Sequence, residues 1–329
     1  MDGTSPTGSP RAAVGGIDLG GTKIEAVIAD ADYRVIGSAR HPTPTRGGPA
    51  DVASAMAAAL TEAATQAGLQ PSQLAGVGVG SPGSVDSAAG TVTRADNLPG
   101  WSGSFPLAAK LHSALATGVA LGNDVGVATN AEFVLGAGKP YRSLLGVFWG
   151  TGIGGGLIFD GELWRGRGAA GEIGHTVVVQ NGRRCPCGRR GCLEAYAGRA
   201  AMEIRARHQQ EKKGEKTKLF ELAAEHGRDR LTSGIWERAL EHGDKLATKL
   251  IDRAVLALGA GIASAVNLLD VEAVIIGGGL GVRFGEPYRE RIEQAMRPHL
   301  FNDSRPPAVH VAGLGDLGGA LGAALLVPR

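Results

Sequence analysis

The stretch Gly16–Asp30, GIDLGGTKIEAVIAD, sets the architecture of this chain. Gly16-Ile17 enters a strand, Asp18-Leu19-Gly20-Gly21-Thr22 turns, and Lys23–Asp30 leaves as a second strand. A helix is expected over Val52–Ala67, with Asp51 as its N-cap and several alanines as good helix formers. A further strand, Gly76–Gly80, ends in the turn Ser81-Pro82-Gly83-Ser84. The order strand–turn–strand, helix, strand describes a mixed α/β lobe.

The pattern recurs about 130 residues later, which suggests a duplicated lobe. Ser143–Trp149 is an apolar strand, Gly150–Gly156 a glycine loop, and Leu157–Asp160 the return strand before an Asp160-Gly161 turn. Gln209–Lys218 is highly charged and reads as a solvated helix-end loop, and Leu246–Leu269 as a long buried helix. Glu272–Ile276 is a strand feeding a Gly277-Gly278-Gly279 turn, and Leu317–Leu326 a terminal helix. The expected division is a disordered tail at 1–14, a small lobe at 15–121 completed by 316–329, and a large lobe at 122–315.

Composition bounds the function. The 329 residues are 43% hydrophobic and 20% charged, with a net charge of +2, so nothing points toward nucleic acid or acidic membranes. The 53 glycines gather in loops, where backbone N–H groups can approach a phosphate closely. The N-terminus lacks an apolar signal segment. The apolar stretch Ala254–Leu269 is interrupted by Gly259, Gly261, Ser264 and Asn267 and reads as too short to span a bilayer. A cytoplasmic protein with reduced thiols is expected.

All three cysteines, Cys185, Cys187 and Cys192, lie in Gly171–Glu194, GEIGHTVVVQNGRRCPCGRRGCLE. With His175 they form a Cys3His set suited to tetrahedral zinc. Pro186 stiffens the first pair, and Gly188 and Gly191 let the loop fold back. An oxidised pair plus one free thiol is the alternative.

Gly150-Thr151-Gly152-Ile153-Gly154-Gly155 matches the dinucleotide fingerprint literally, but the residues after it read as a strand rather than the helix that fingerprint needs. Gly138-Lys139 is followed by proline, so it is no phosphate-binding P-loop. Asp18, Gly20, Gly21, Thr22 and Lys23 offer another grip: hairpin N–H groups and the Thr22 hydroxyl cradle phosphate oxygens, with Asp18 placed to hold Mg²⁺. An ordinary glycine hairpin is the plainer reading. Thr151-Gly152 and Gly277–Gly279 favour the first, because clamping one nucleotide takes several such loops. Asp124, after the apolar run Val119–Leu121 and Gly122-Asn123, fits the single base that phosphoryl transfer to an alcohol needs. From spacing alone the N-cap of a helix over Val125–Leu135 is the plainer reading, and cap and base are not exclusive.

With these residues in place, the chain resembles the ROK family of sugar kinases and related repressors, within the wider superfamily of hexokinases, actin and heat-shock ATPases. The resemblance runs from Gly16 to the C-terminus. Its marks are IDLGGTK at Ile17–Lys23, GSPGSVD at Gly80–Asp86, NLPGW at Asn97–Trp101 and ND at Asn123–Asp124. GTGIGGG at Gly150–Gly156, GEIGH at Gly171–His175, CPCGRRGCLE at Cys185–Glu194 and the late GGG at Gly277–Gly279 come after them in the family order.

The resemblance implies a two-lobed α/β fold of the actin-like ATPase (ribonuclease H-like) kind, with ATP and Mg²⁺ in a cleft. It implies a base at Asp124 acting on a sugar 6-hydroxyl, with Asn123, Glu172, His175 and Glu194 holding ring hydroxyls and Asn97 and the Gly83-Ser84 turn as secondary candidates. Glucose leads among the expected substrates, with N-acetylmannosamine, N-acetylglucosamine and other hexoses as alternatives. A homodimer or homotetramer is expected. Val125-Gly126 depart from the family's Asn-Asp-Ala-Asn, and Trp149 is bulkier than the family pattern leads one to expect.

Two rival classes fit less well. A sugar-responsive repressor needs a helix-turn-helix domain ahead of Asp18, where only seventeen residues stand. A nucleic-acid zinc knuckle would use Arg183, Arg184, Arg189 and Arg190, but the near-neutral charge and sparse aromatics read as a solvated loop.

Overall fold

The computed structural model describes residues 13–95 and 98–328. The expected tail therefore lies almost wholly outside the described residues, and the first strand already begins at Val14. In chain order the strands are β1 (Val14–Leu19), β2 (Lys23–Ala29), β3 (Val35–Pro42), β4 (Val77–Ser81), β5 (Ser84–Asp86), β6 (Thr91–Thr93), β7 (Val119–Asn123), β8 (Leu144–Trp149), β9 (Ile153–Phe159), β10 (Glu162–Leu163), β11 (Ala273–Gly277) and β12 (Ala308–Val311). The helices are α1 (Pro49–Gln66), α2 (Leu107–Leu115), α3 (Asp124–Val134), α4 (Glu194–Ala197), α5 (Arg199–Lys213), α6 (Leu219–Glu225), α7 (Ser233–Glu241), α8 (Lys245–Leu269), α9 (Gly278–Met296) and α10 (Gly318–Ala324).

The chain forms two compact units. One runs to Ala131 and takes back the stretch from Asp316 on; the other is Glu132–Gly315. In the first, a five-stranded sheet has the order β3-β2-β1-β4-β7, with β1 antiparallel to β2 and parallel to β4. Successive residues of β1 face opposite sides. A Cβ at Gly15 would press on Leu60 of α1, whereas one at Gly16 would overlap the Ala320 carbonyl of α10. Gly78 of β4 likewise leaves room for the Ala323 carbonyl. Glycine in these strands lets the last helix lie directly on the sheet. On the α1 side, Ile17, Leu19, Ile24, Met56 and Leu60 build the core with Leu107 and Leu111 of α2.

The second unit repeats the design: its sheet order is β10-β9-β8-β11-β12, with β8 antiparallel to β9 and parallel to β11. The duplication that is faint in residue identities is plain in strand order and direction. Its core gathers Trp149, Trp236, Leu258, Ile262 and Ile276. Among the described residues α8, at 25 residues, is long and apolar enough by composition to cross a membrane, contrary to the reading of Ala254–Leu269 as too short. Much of it is spent in the core: Ile251, Ala254, Leu258 and Ile262 are fully buried.

Several local expectations change. Helix α1 starts three residues early because Gly48, not Asp51, is its N-cap; Asp51 sits at the third helical position, its carboxylate accepting the Gly48 N–H at 2.8 Å. Gln209–Lys218 is a helix end as expected, but more of it is helix than loop: α5 runs on to Lys213, Gln209 is buried rather than solvated, and Gly214 closes the helix in the left-handed conformation. Trp149 has a clear place: fully buried, it donates from Nε1 to the Ala197 carbonyl at 2.7 Å and meets Phe284 edge-on.

Candidate active site

In the first unit, the parallel strands β1, β4 and β7 end at one edge. Asp18 pairs in register with Gly80, and Gly80 with Gly122, so Asp18 and the Asn123-Asp124 corner lie around one glycine. A Cβ at Gly80 would stand 3.5 Å from the Asp124 Cα and 3.9 Å from an Asp18 carboxylate oxygen. The carboxyl ends of parallel strands are where open α/β sheets bind their ligands. Burial, and then the neighbouring Asp124 charge, push the Asp18 carboxyl up to about 7 against the lowering pull of Lys23. Two carboxylates in this relation favour a cation beside them.

The helix cap is divided between two residues. Asn123 Oδ1 accepts the Gly126 N–H at 3.0 Å, as an N-cap does, while Asp124 Oδ1 takes its neighbour Val125's N–H at 2.9 Å. Asn123 rather than Asp124 thus fills the cap role read from the sequence. In the phosphate hairpin, Gly20 N–H closes on the Lys23 carbonyl at 2.9 Å, and Gly21 and Thr22 are exposed at the tip. Lys23 itself is turned to Glu25, at 2.7 Å, within a cluster that also holds Arg40 and Asp316.

In the second unit, β9 begins at Ile153, four residues earlier than expected, so the turn at its head is Gly150-Thr151-Gly152. The strand after it bears out the rejection of a dinucleotide fingerprint. Gly277–Gly279 is not a free turn but the start of α9, with Gly277 as N-cap, giving a helix N-terminus of the kind that binds phosphate. Gly278 has φ of +79°, and a Cβ there would lie 2.6 Å from the Trp149 carbonyl oxygen, so the two glycine turns are neighbours.

Arg199, which sequence reasoning missed, donates to Thr151 Oγ1 at 2.7 Å and to the Leu231 carbonyl at 2.8 Å. Its cation therefore stands at the Thr151 turn; the only signal for it was its place just after the cysteine loop and Glu194. Desolvation lowers its pKa, as does nearby Arg230.

The cysteine loop folds as its spacing suggests. Gly188 and Gly191 take φ of +88° and +85°, and Val177 bridges to Cys192, bringing His175 alongside. The ligating atoms of His175, Cys185, Cys187 and Cys192 all lie within 4.8 Å of one another. Cys187 and Cys192 sulfurs are 3.7 Å apart, and Cys185 Sγ is 3.9 Å from His175 Nδ1. Tetrahedral zinc with Zn–S bonds of ~2.3 Å separates its sulfurs by about 3.8 Å, so the cluster is compatible with structural zinc. All three thiols are free, with no disulfide. The other histidine nitrogen, Nε2, faces Glu172 Oε2 at 3.9 Å. Glu194 turns back beneath the glycine turn, Oε2 accepting the Ile153 N–H at 3.0 Å and Oε1 lying 3.8 Å from Cys185 Sγ. Asn97 lies outside the described residues.

The chain is similar to known proteins over nearly its whole length. The model of the ROK family matches residues 14–329. The glucokinase of Thermotoga maritima is 32% identical over 97% of this chain and 98% of its own. The N-acetylgalactosamine kinase AgaK of Shewanella sp. (strain ANA-3) is 34% identical over 94% and 95%. A ROK family glucokinase from Streptomyces griseus, solved in complex with glucose and AMPPNP, superposes with a TM-score of 0.81 at 32% identity, covering 95% of this chain and 98% of that one. The fold is that of the actin-like ATPases. This chain belongs to the ROK family.

Proposed function

We propose that this protein is an ATP-dependent hexose kinase that phosphorylates the 6-hydroxyl of glucose. The observation that carries the reading is the convergence of Asp18 and Asp124 around Gly80 at the carboxyl edge of the first sheet. Asp124 takes the proton of the 6-hydroxyl while that oxygen attacks the γ-phosphorus in line, and the bond to the β–γ bridging oxygen breaks to release ADP. Asp18 would hold Mg²⁺, which when bound neutralises charge on the phosphates. The turns at Gly20-Gly21-Thr22, with Lys23 beside them, at Thr151-Gly152 and at Gly277-Gly278-Gly279 present N–H groups to the nucleotide. The Thr151 hydroxyl, which accepts from Arg199, keeps its own proton to donate.

Asn97, Asn123, Glu172, His175 and Glu194 hold the sugar hydroxyls in this reading. Zinc, held by His175, Cys185, Cys187 and Cys192, has all four positions filled by protein and is structural. His175, with Nδ1 toward the cysteines, keeps Nε2 for Glu172 and the sugar. The similarity to an N-acetylgalactosamine kinase at 34% identity favours an N-acetylhexosamine as the second reading of the substrate. Coupled ADP-release assays on glucose, mannose, fructose, N-acetylglucosamine, N-acetylmannosamine and N-acetylgalactosamine test both. Highest kcat/KM on glucose is expected; a higher value on an N-acetylhexosamine moves the assignment to the second reading, and turnover of none of them removes the kinase.

A further inference from the structure

A concavity of about 620 Å³ lies in the Glu132–Gly315 unit, between α5, α8 and the segment just before the first cysteine. Arg183, Arg205, Lys245, Lys249 and Arg253 line it. The one carboxylate on its wall, Asp252, is engaged by Arg291 at 2.6 Å, and Lys249 by Glu215 at 3.1 Å. Among the described residues, no carboxylate pairs with Arg183, Arg205 or Arg253. Arg183 and Arg253 instead stack on the ring of Tyr196, with guanidinium carbons 4.6 and 5.5 Å from its centre.

Two polar atoms of residues that line the pocket lie sealed from solvent in its wall. Arg205 Nε and the Oε1 of Gln209 are buried without hydrogen-bond partners, and Gln209 is only 5% exposed. A buried polar atom without a hydrogen-bond partner is unfavourable and asks for one. Burial, then the like charges of Arg205 and Arg253, lower the pKa of Arg183. This is a cationic pocket whose charge the chain does not balance.

We propose that this pocket binds a small hydroxyl-bearing phosphate monoester, its dianion among Arg183, Arg205 and Arg253 and a hydroxyl on Gln209. Guanidinium forks match phosphate oxygens in pairs, and a dianion offsets several cations at once. Gln209 Oε1 accepts from the ligand hydroxyl once the side chain turns outward from its buried position. The volume exceeds what a bare phosphate fills and lies in the range of small-molecule sites, about 300–1,000 Å³. None of these residues has a part in the proposed phosphoryl transfer, so the inference stands apart from the kinase reading.

The test is thermal melting of the full chain at fixed ionic strength with potassium chloride, inorganic phosphate or glycerol 3-phosphate. Glycerol 3-phosphate is expected to raise Tm by about 3 °C over chloride at saturating concentration, and inorganic phosphate by less. In an Arg205→Gln/Arg253→Gln variant the shift should vanish while kcat on sugar stays unchanged. Should the double variant not fold, Arg253→Gln alone, at an exposed position, should weaken glycerol 3-phosphate binding about tenfold by calorimetry. A shift that persists undiminished in either variant, or equal shifts from chloride and phosphate, overturns the proposal.

Discussion

Glu194 accepts the backbone N–H of Ile153 at 3.0 Å, and Gly152 is the residue that lets it do so. A Cβ at position 152 would overlap the Glu194 carboxylate. The residue two positions beyond the last cysteine is thereby tied to the glycine turn at the head of β9.

Gly152→Ala should accordingly destabilise the protein by about 0.5–1.5 kcal/mol, because the Glu194 carboxylate must swing aside and give up the Ile153 N–H. Glu194→Ala placed on top of it should recover part of that loss. Urea denaturation of the two single variants and the double variant measures the coupling; strictly additive effects would mean that the overlap is relieved elsewhere.

Asp124→Asn should lower turnover by about 10²–10⁴, the worth of a general base, with circular dichroism and Tm close to those of the parent. Its cap contribution is small, because Asn123 already satisfies the Gly126 N–H. Near wild-type turnover would remove Asp124 from the role.

Asp18 gives a pH signature to the metal-free protein. Its carboxyl is raised from 3.8 to about 7 in the fold, so between these values the native state holds a proton that the unfolded chain releases. Stability should fall as pH rises through that window and level off above about 7. Asp18→Asn should remove this part of the slope, and Mg²⁺ should oppose it by favouring the ionised form. Chemical denaturation in EDTA at pH 5 and pH 8 reads the effect; equal slopes in parent and variant would refute it.

Cys187→Ser should lose zinc by elemental analysis, lower Tm, and raise the KM for sugar more than that for ATP. The asymmetry is expected because the loop holds His175, whose Nε2 faces Glu172. Equal rises in both KM values would show a loop that supports the fold without shaping the sugar pocket.

Local residue order made the fold legible. Two strand–glycine–strand units foretold two sheets of the same strand order, and the GEIGH and cysteine motifs foretold a cluster that closes to metal-binding distances. What escaped depended on contacts far along the chain. Arg199 reaches Thr151 across 48 residues, and nothing in either neighbourhood announces the pair. Gly277–Gly279 reads as a turn because three glycines and a later proline are poor helix formers, yet tertiary packing against Trp149 makes them the start of α9. Lys23, read as part of the phosphate grip, also meets Asp316 at 3.8 Å, a contact from the far end of the chain that no local reading shows.

The glycines of β1 and β4 that seat α10 also bear on the order in which the molecule assembles. The first strand acquires its cover from the last helix, so one of the longest loops in the chain must close before the outer unit is complete, while Glu132–Gly315 is continuous and waits for nothing outside itself. During synthesis the inner unit, although made later than most of the outer one, is expected to reach its native packing first. Until α10 emerges, the glycine-lined face of β1 and β4 stands bare, which makes it the surface a chaperone would guard.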